Sequence, residues 1–385
     1  MQRLPSSPAA LLAELVSRPS VSPAGLSSEP GKGEAAMAAW VAGYLRRLGA
    51  AVETPLMAPG RPCVVGVFEP AVRAQATVAF VPHLDTVAVE GMTVPPFELT
   101  RRGTRLHGRG ACDTKGPMAA VLWALRRWTR SPAARKAPVR WILAATAGEE
   151  HGALGAQFLL QNGFRTDFAI ALEPTRLRVV RGAKGILRAA IEVPGRAAHG
   201  SKPERGVNAV YRALPIAQAL RDEVGPALAG LTHPVFGGAT LNLGVMSGGT
   251  VANIVPASCR LELDIRLHPG CTADDAIALL RDAIRRQPAA RLRIHRRGPA
   301  FLTDRGEPWA RALRKVGCGW AVADWFCDAN FFSDYGIPSV AFGPGDIRQA
   351  HTCDEFIEEA QLAAGQDAFF RYLSDPPAGA FLSRK

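Results

Sequence analysis

The chain has 385 residues, 48% of them hydrophobic and 21% charged, with a formal net charge of +12. That length exceeds what one core ordinarily holds and predicts two domains, and the composition excludes a fibrous or low-complexity chain. The positive charge raises the question of nucleic acid, but only seven of the 46 basic residues are lysines and no basic run is longer than pairs such as Arg46-Arg47 or Arg296-Arg297, so no nucleic-acid partner is expected.

Seven cysteines (Cys63, Cys112, Cys259, Cys271, Cys318, Cys327 and Cys353) are odd in number and widely spaced, without a CxxC pair. This is neither a disulfide framework nor a zinc ribbon. The first predicted element is an amphipathic helix over residues 8–16, too interrupted for a signal peptide, and no apolar stretch approaches a membrane span. The cytoplasm is the expected compartment, without membrane attachment.

A Gly/Ser/Pro/Glu loop after Pro23 leads to a helix over 34–48 that ends at Gly49. Strands over 63–68 and 77–81 follow, and the second runs into Pro82-His83-Leu84-Asp85. In an extended segment residues two apart share a face, so His83 and Asp85 lie side by side. An imidazole beside a carboxylate suits a metal ligand whose second ring nitrogen is oriented by that carboxylate; taken alone, the motif is more often a surface or capping pair. Next comes His107-Gly-Arg-Gly-Ala-Cys-Asp113-Thr-Lys-Gly116-Pro117, with a helix over 118–128 opened by Pro117. Asp113 stands where an N-cap would be slightly early, which leaves its carboxylate available to a site.

An apolar strand around 141–147 ends in Gly148-Glu149-Glu150, and a helix over 153–161 follows. Two adjacent carboxylates at the end of a buried strand cost too much unless cations or protons neutralise them. The strand 168–172 also finishes on an acid, Glu173, before Pro174. From Lys184 the pattern changes to strand (185–193), helix (208–220), strands (239–245 and 259–267), helix (272–286) and strand (291–295). That order is the split βαβ, ferredoxin-like arrangement, an insert over 184–296 in a domain made of 1–183 and 297–385. A helix (307–316), a strand (339–342) and a helix (360–372) then resume the α/β pattern.

Collected together, His83, Asp113, Glu150, Glu173 and His351 provide two imidazoles and three carboxylates, four terminal ligands and one that bridges. Such a set suits two divalent ions, Zn²⁺ before Co²⁺ or Mn²⁺, which can activate a water and polarise a carbonyl. Glu149 is left beside Glu150 to move the proton.

With these residues in view, the chain resembles the M20 metallopeptidase family throughout its length. The resemblance is carried by His83-Leu-Asp85, Gly108-Arg-Gly-Ala-Cys-Asp113-Thr-Lys-Gly116, Glu149-Glu150, Glu173-Pro174 and His351, in that order. It implies a zinc-exopeptidase-like α/β catalytic domain interrupted by an α+β lid that dimerises. It further implies that Asp113 bridges both ions, that His83 and Glu173 hold one, and that Glu150 and His351 hold the other. Asp85 would orient His83, and Glu149 would be the general acid and base. His199, in Ala-Ala-His-Gly-Ser-Lys-Pro, matches the lid histidine that reaches a partner's site to stabilise the oxyanion. Asn253 and Arg266 resemble the family's substrate-contacting lid residues. Gly343-Pro-Gly-Asp-Ile-Arg-Gln-Ala-His351 and Phe326-Cys327 are most similar to the acetylornithine and acetylcitrulline deacetylases, although Cys327-Asp328-Ala-Asn330 replaces their Thr-Glu-Ala type of sequence. The expected activity is amide hydrolysis of an N-acyl amino acid, with N-acetyl first. Dipeptidase, carboxypeptidase or succinyl-diaminopimelate desuccinylase activity is the alternative.

Overall fold

The computed structural model describes residues 4–23 and 33–377; the loop expected after Pro23 lies largely outside them, at 24–32. Two compact units are present. Met1–Arg181, Thr303–Ala321 and Cys327–Lys385 form the first, and Gly182–Leu302 with Val322–Phe326 forms the second.

In the first unit the nine-stranded sheet includes the run Ala51–Glu53, Val64–Phe68, Val139–Ala145, Ala76–Val81, Phe168–Ala171, Ser339–Ala341. The first two strands are antiparallel additions, and the last four are mutually parallel. Parallel strands are covered on both faces and therefore read as unbroken apolar runs, as Trp-Ile-Leu-Ala-Ala and Phe-Ala-Ile-Ala do here. Helix Glu359–Ser374 packs across the sheet through aromatic rings. Phe369 meets Phe80 edge-on at 5.7 Å between centroids, and Tyr372 lies 5.7 Å from Trp141.

All four parallel strands point the same way, so the segments that leave their carboxyl ends gather along one edge, the usual place for a site in an open α/β sheet. Those segments are Pro82–Asp85, Thr146–Glu150, Leu172–Glu173 and Phe342–His351. The fold thus collects the strand-end acids and imidazoles before any side chain is considered.

The second unit has the βαββαβ order. Its strands are Gly185–Pro194, Thr240–Gly248, Ser258–Leu267 and Arg291–Gly298, all antiparallel, with the first and third central. Helix Ala209–Ala219, capped by Asn208 Oδ1 on the Val210 and Tyr211 N–H groups, does not stop at Leu220 as expected. It passes through a wider turn over Leu220–Val224 into helix Gly225–Gly230 because Leu220, Val224 and Leu228 continue the buried stripe.

The structure departs from the sequence reading around the site in three places. The helix opened at Pro117 instead begins two residues earlier, at Lys115. A short helix occupies Asp328–Asp334, started by the Asn330 side chain accepting the Cys327 N–H at 3.1 Å. A small separate sheet joins Thr100–Arg102, Arg105–His107 and Phe356–Glu358.

Candidate metal centre

His83 follows the strand Ala76–Val81 and is held in an extended conformation by a parallel bridge to Thr146. Its Nδ1 donates to the Asp85 backbone carbonyl oxygen at 2.9 Å. In the neutral ring the lone pair is therefore on Nε2, which faces Asp113 Oδ1 at 3.1 Å. A lone pair opposed to a carboxylate oxygen repels it unless a proton or a cation lies between them. Asp113 Oδ2 in turn lies 3.5 Å from His351 Nε2, and His351 Nε2 lies 3.0 Å from Glu150 Oε2. One carboxylate thus faces two imidazoles.

The ligand atoms fall into two groups that share Asp113. His83, Asp113 and Glu173 form one and Asp113, Glu150 and His351 the other, with the atoms of each within 4.8 Å of one another. Mixed nitrogen and oxygen donors in two such trios fit a pair of divalent cations bridged by one carboxylate. Electrostatics agrees with that fit. Burial drives the Glu173 carboxyl well above its ordinary range, with Asp113 adding repulsion. Glu150 is also pushed up by burial, and His351 pulls it back in part. At Asp113 burial is outweighed by the His351 and His83 hydrogen bonds, which hold the carboxyl low. Asp113 and Glu150 lift His351 to about 10. Cations placed in the two groups would compensate all three buried acids at once.

Glu149 belongs to neither group. It is buried, and desolvation raises its carboxyl well above the usual value, with Asp328 and Glu150 contributing and His83 opposing. Its backbone N–H donates to Asp85 Oδ1 at 3.0 Å, and that of Glu150 donates to Asp85 Oδ2 at 3.1 Å. Asp85 also faces the His83 ring, through both its carbonyl and its carboxylate. The Asp85 carbonyl makes the shorter contact with the ring, whereas Asp85 Oδ1 lies 3.6 Å from Nδ1. The same carboxylate also holds the backbone of the two glutamates.

Below this turn lies a buried ion pair that sequence reasoning missed. Arg61 donates to Glu34 through Nε at 2.8 Å and Nη2 at 2.6 Å, and both side chains are fully buried. The guanidinium rises against Gly148, where a Cβ would come within 2.5 Å of Nη2 and where φ is +72°. Only glycine fits that backbone and that approach. Also missed were Asp328, which accepts from Thr146 Oγ1 at 2.6 Å, and Glu355, whose carboxylate holds the Asp113 loop. Glu355 follows Asp354 immediately after the His351 motif, and that acidic pair was the available signal. Nothing in the sequence distinguishes Glu34 or Arg61 from surface charges.

In the second unit His199 sits on an exposed loop. Its Nδ1 accepts the Ser201 N–H at 3.2 Å and lies 2.7 Å from Ser201 Oγ. In the neutral ring Nε2 therefore carries the proton and is the free donor. The Gly200 N–H donates to the Asn253 carbonyl at 2.7 Å, so the His199 and Asn253 loops are joined. Arg266 lies on strand Ser258–Leu267, and its Nε donates to Asp264 Oδ1 at 2.7 Å. Among the described residues no hydrogen bond joins it to either loop.

The sequence matches peptidase family M20/M25/M40 over residues 79–375. It is 34% identical over 304 residues to the acetylornithine deacetylase of Myxococcus xanthus, covering 75% of this chain and 77% of that protein. Among solved structures it resembles an M20 family metallo-carboxypeptidase from Sulfolobus solfataricus, at 18% identity and a TM-score of 0.82, with 96% of this chain and 99% of that one covered. It also resembles a dinuclear metal-binding peptidase of Bacillus subtilis, at 14% identity and a TM-score of 0.68, covering 95% and 96%.

Proposed function

The chain belongs to peptidase family M20/M25/M40, and from that premise we propose that it is a two-metal deacetylase acting on N-acetyl amino acids of the ornithine or citrulline type. It is a metal-dependent hydrolase of N-acyl amino acid amides, as its deacetylase relatives and its family indicate. The observation that carries the finer reading is the pair of ligand groups sharing Asp113, with a buried non-ligand acid, Glu149, beside them.

The proposed ligands are His83 and Glu173 for one ion, Glu150 and His351 for the other, and Asp113 for both. Divalent ions bound there, Zn²⁺ first, would supply Lewis acidity, sharpening the acidity of a water and polarising the amide carbonyl. Glu149 accepts the proton of the attacking water and returns it to the amine nitrogen as the carbon–nitrogen bond breaks, so acetate and a free amine leave. Burial beside Asp328 and Glu150 pushes the Glu149 carboxyl up, the direction in which a group that both takes and returns a proton is tuned. Asp85 fixes the backbone that carries Glu149 and Glu150 by accepting both of their N–H groups.

We assign the second unit as a lid that pairs with a second copy of the chain. Exposed Tyr211, Leu214, Val245, Met246 and Val251 support an association surface. His199 is proposed to present its Nε2–H to the substrate oxyanion in the other copy's site. Asn253 and Arg266 are proposed to contact the substrate, Arg266 through its carboxylate. The positive field of the chain favours the carboxylate of such a substrate. Among the described residues no helix is long and apolar enough to cross a membrane, and a cytoplasmic site of action is proposed.

A peptidase reading is the second possibility, favoured by the fold likeness to the metallo-carboxypeptidase. Amine release from N-acetyl-ornithine, N-acetyl-citrulline, N-succinyl-diaminopimelate and dipeptides decides between them. Rates highest on the acetylated substrates support the proposal; rates highest on dipeptides replace it with the peptidase reading.

A further inference from the structure

Glu355 takes no part in the chemistry above, yet few side chains are as heavily engaged. It is 1% exposed, and its carboxylate accepts four hydrogen bonds. Oε1 takes the N–H groups of Cys112 and Asp113, each at 2.9 Å. Oε2 takes the Gly110 N–H at 2.9 Å and Arg109 Nη1 at 2.8 Å. The Glu355 backbone carbonyl accepts a further bond, from the Gly108 N–H at 3.2 Å. All of these donors lie on the short segment that ends in Asp113.

That segment belongs to no helix or strand, so its N–H groups must find partners elsewhere. A carboxylate offers about four acceptor positions, and bonds to an ionised acceptor are roughly twice as strong as neutral ones. Gly110, at φ +78°, lets the neighbouring N–H groups converge on one point. The loop shape that aims Asp113 thus depends on an acceptor 242 residues away in sequence.

The same residue fixes a second ligand. His351 lies four positions before Glu355, at φ +63° and half-exposed, after the short helical turn Ile347–Gln349. Strand Phe356–Glu358, which begins directly after Glu355, pairs with Arg105–His107, the strand that leads into the Asp113 loop. Glu355 is therefore the carboxylate that fastens the His351 segment to the Asp113 segment, beside single bonds from Arg109 Nη1 to the Thr352 carbonyl at 3.3 Å and from His107 Nδ1 to the Asp354 carbonyl at 3.0 Å.

We propose that Glu355 is a positioning residue that sets the separation of Asp113 and His351 and so governs the binding of the ion held by Asp113, Glu150 and His351. The inference rests on the two-ion reading above. The other group draws His83 and Glu173 from the ends of sheet strands that Glu355 does not touch, and it shares only Asp113 with the fastened loops. Loss of the fastening therefore acts unequally on the two ions, whereas a residue that merely stabilised the fold would act on both alike.

Two substitutions separate these cases. Glu355→Asp keeps the charge but is one methylene short of its four donors. Glu355→Gln keeps the length but turns an amide NH₂ towards backbone N–H groups. Chelator-stripped full-length protein is titrated with Zn²⁺ by calorimetry, with near-ultraviolet circular dichroism as the test of folding. The wild type is expected to bind two ions. In Glu355→Asp one binding step should weaken by about 10–100-fold, the usual cost of losing a group that orients ligands, while the other changes far less. Glu355→Gln, if folded, should show the same asymmetry more strongly; if it does not fold, Glu355→Asp decides. Two unchanged steps in folded Glu355→Asp would overturn the proposal, as would equal weakening of both with a lower melting temperature of the metal-free protein. Fewer than two ions in the wild type would instead defeat the two-ion reading itself.

Discussion

Replacing Arg61 by Met should cost the first unit several kcal/mol without touching a proposed ligand. Arg61 and Glu34 are both fully buried, and their two-pronged contact has N–O distances of 2.8 and 2.6 Å. Removing one partner of such a pair leaves a buried charge uncompensated and costs about 3–5 kcal/mol. At roughly 2–4 °C per kcal/mol for a unit of this size, the melting temperature should fall by about 10 °C. The loss should also depend on pH in a definite direction. Burial already raises the Glu34 carboxyl, and Arg61 opposes that rise; without Arg61 it goes higher still. A carboxyl raised in the folded state above its unfolded value stays protonated when folded, so stability is fullest below the unfolded value and is lost as pH rises through the folded one. The penalty in Arg61→Met should accordingly be smaller at pH 5 than at pH 8. Removing both charges, in Arg61→Met with Glu34→Leu, should recover most of the loss, since a buried pair replaced by apolar groups is often neutral. Thermal melts followed by circular dichroism at the two pH values test all of this. Arg61→Met melting within about 2 °C of wild type at pH 8, below what a 3 kcal/mol loss would give, would refute the reasoning.

Other variants probe the site. Glu149→Gln should keep both ions by elemental analysis and lose about 10²–10⁴-fold in kcat, the worth of a positioned acid and base. Asp85→Ala removes the acceptor of two backbone N–H groups; at about 1.5–3 kcal/mol for each bond to a charged group, it should lower the melting temperature and weaken metal binding, measured by calorimetry. His199→Ala should leave metal content and melting unchanged while kcat falls about 10²–10³-fold, as for loss of an oxyanion donor; an unchanged kcat would remove His199 from the mechanism.

Much of the proposed metal centre was legible in the sequence because its residues stand close after apolar strands. His83, Glu150 and Glu173 each follow such a run, and a parallel sheet brings those ends together whatever else the chain does. Asp113 and His351 lie on loops and were recognisable through their glycine-rich neighbours. What stayed hidden depends on pairings that local pattern does not encode. Glu355 reads as a solvated acid beside Asp354 until strand Phe356–Glu358 pairs with Arg105–His107 and brings it under Cys112 and Asp113. The strands of that small sheet are three residues long, too short for periodicity to register. Glu34 looks like an ordinary acid in a first helical turn, and its burial is settled by Arg61 arriving from another strand. The full set of contacts at Asp85 was hidden for a related reason. Its spacing from His83 was legible, but the competing claim of the Glu149 and Glu150 N–H groups on its carboxylate arises only when the two strand ends lie side by side.

The account stands most directly on the link between metal occupancy and turnover. Chelator-stripped protein should be supplied with Zn²⁺ in steps while ornithine release from N-acetyl-ornithine and bound metal are measured on the same samples. The account predicts no turnover in the stripped protein and a plateau at two ions per chain. Full turnover by metal-free protein, or a plateau reached with no ion bound, would contradict it.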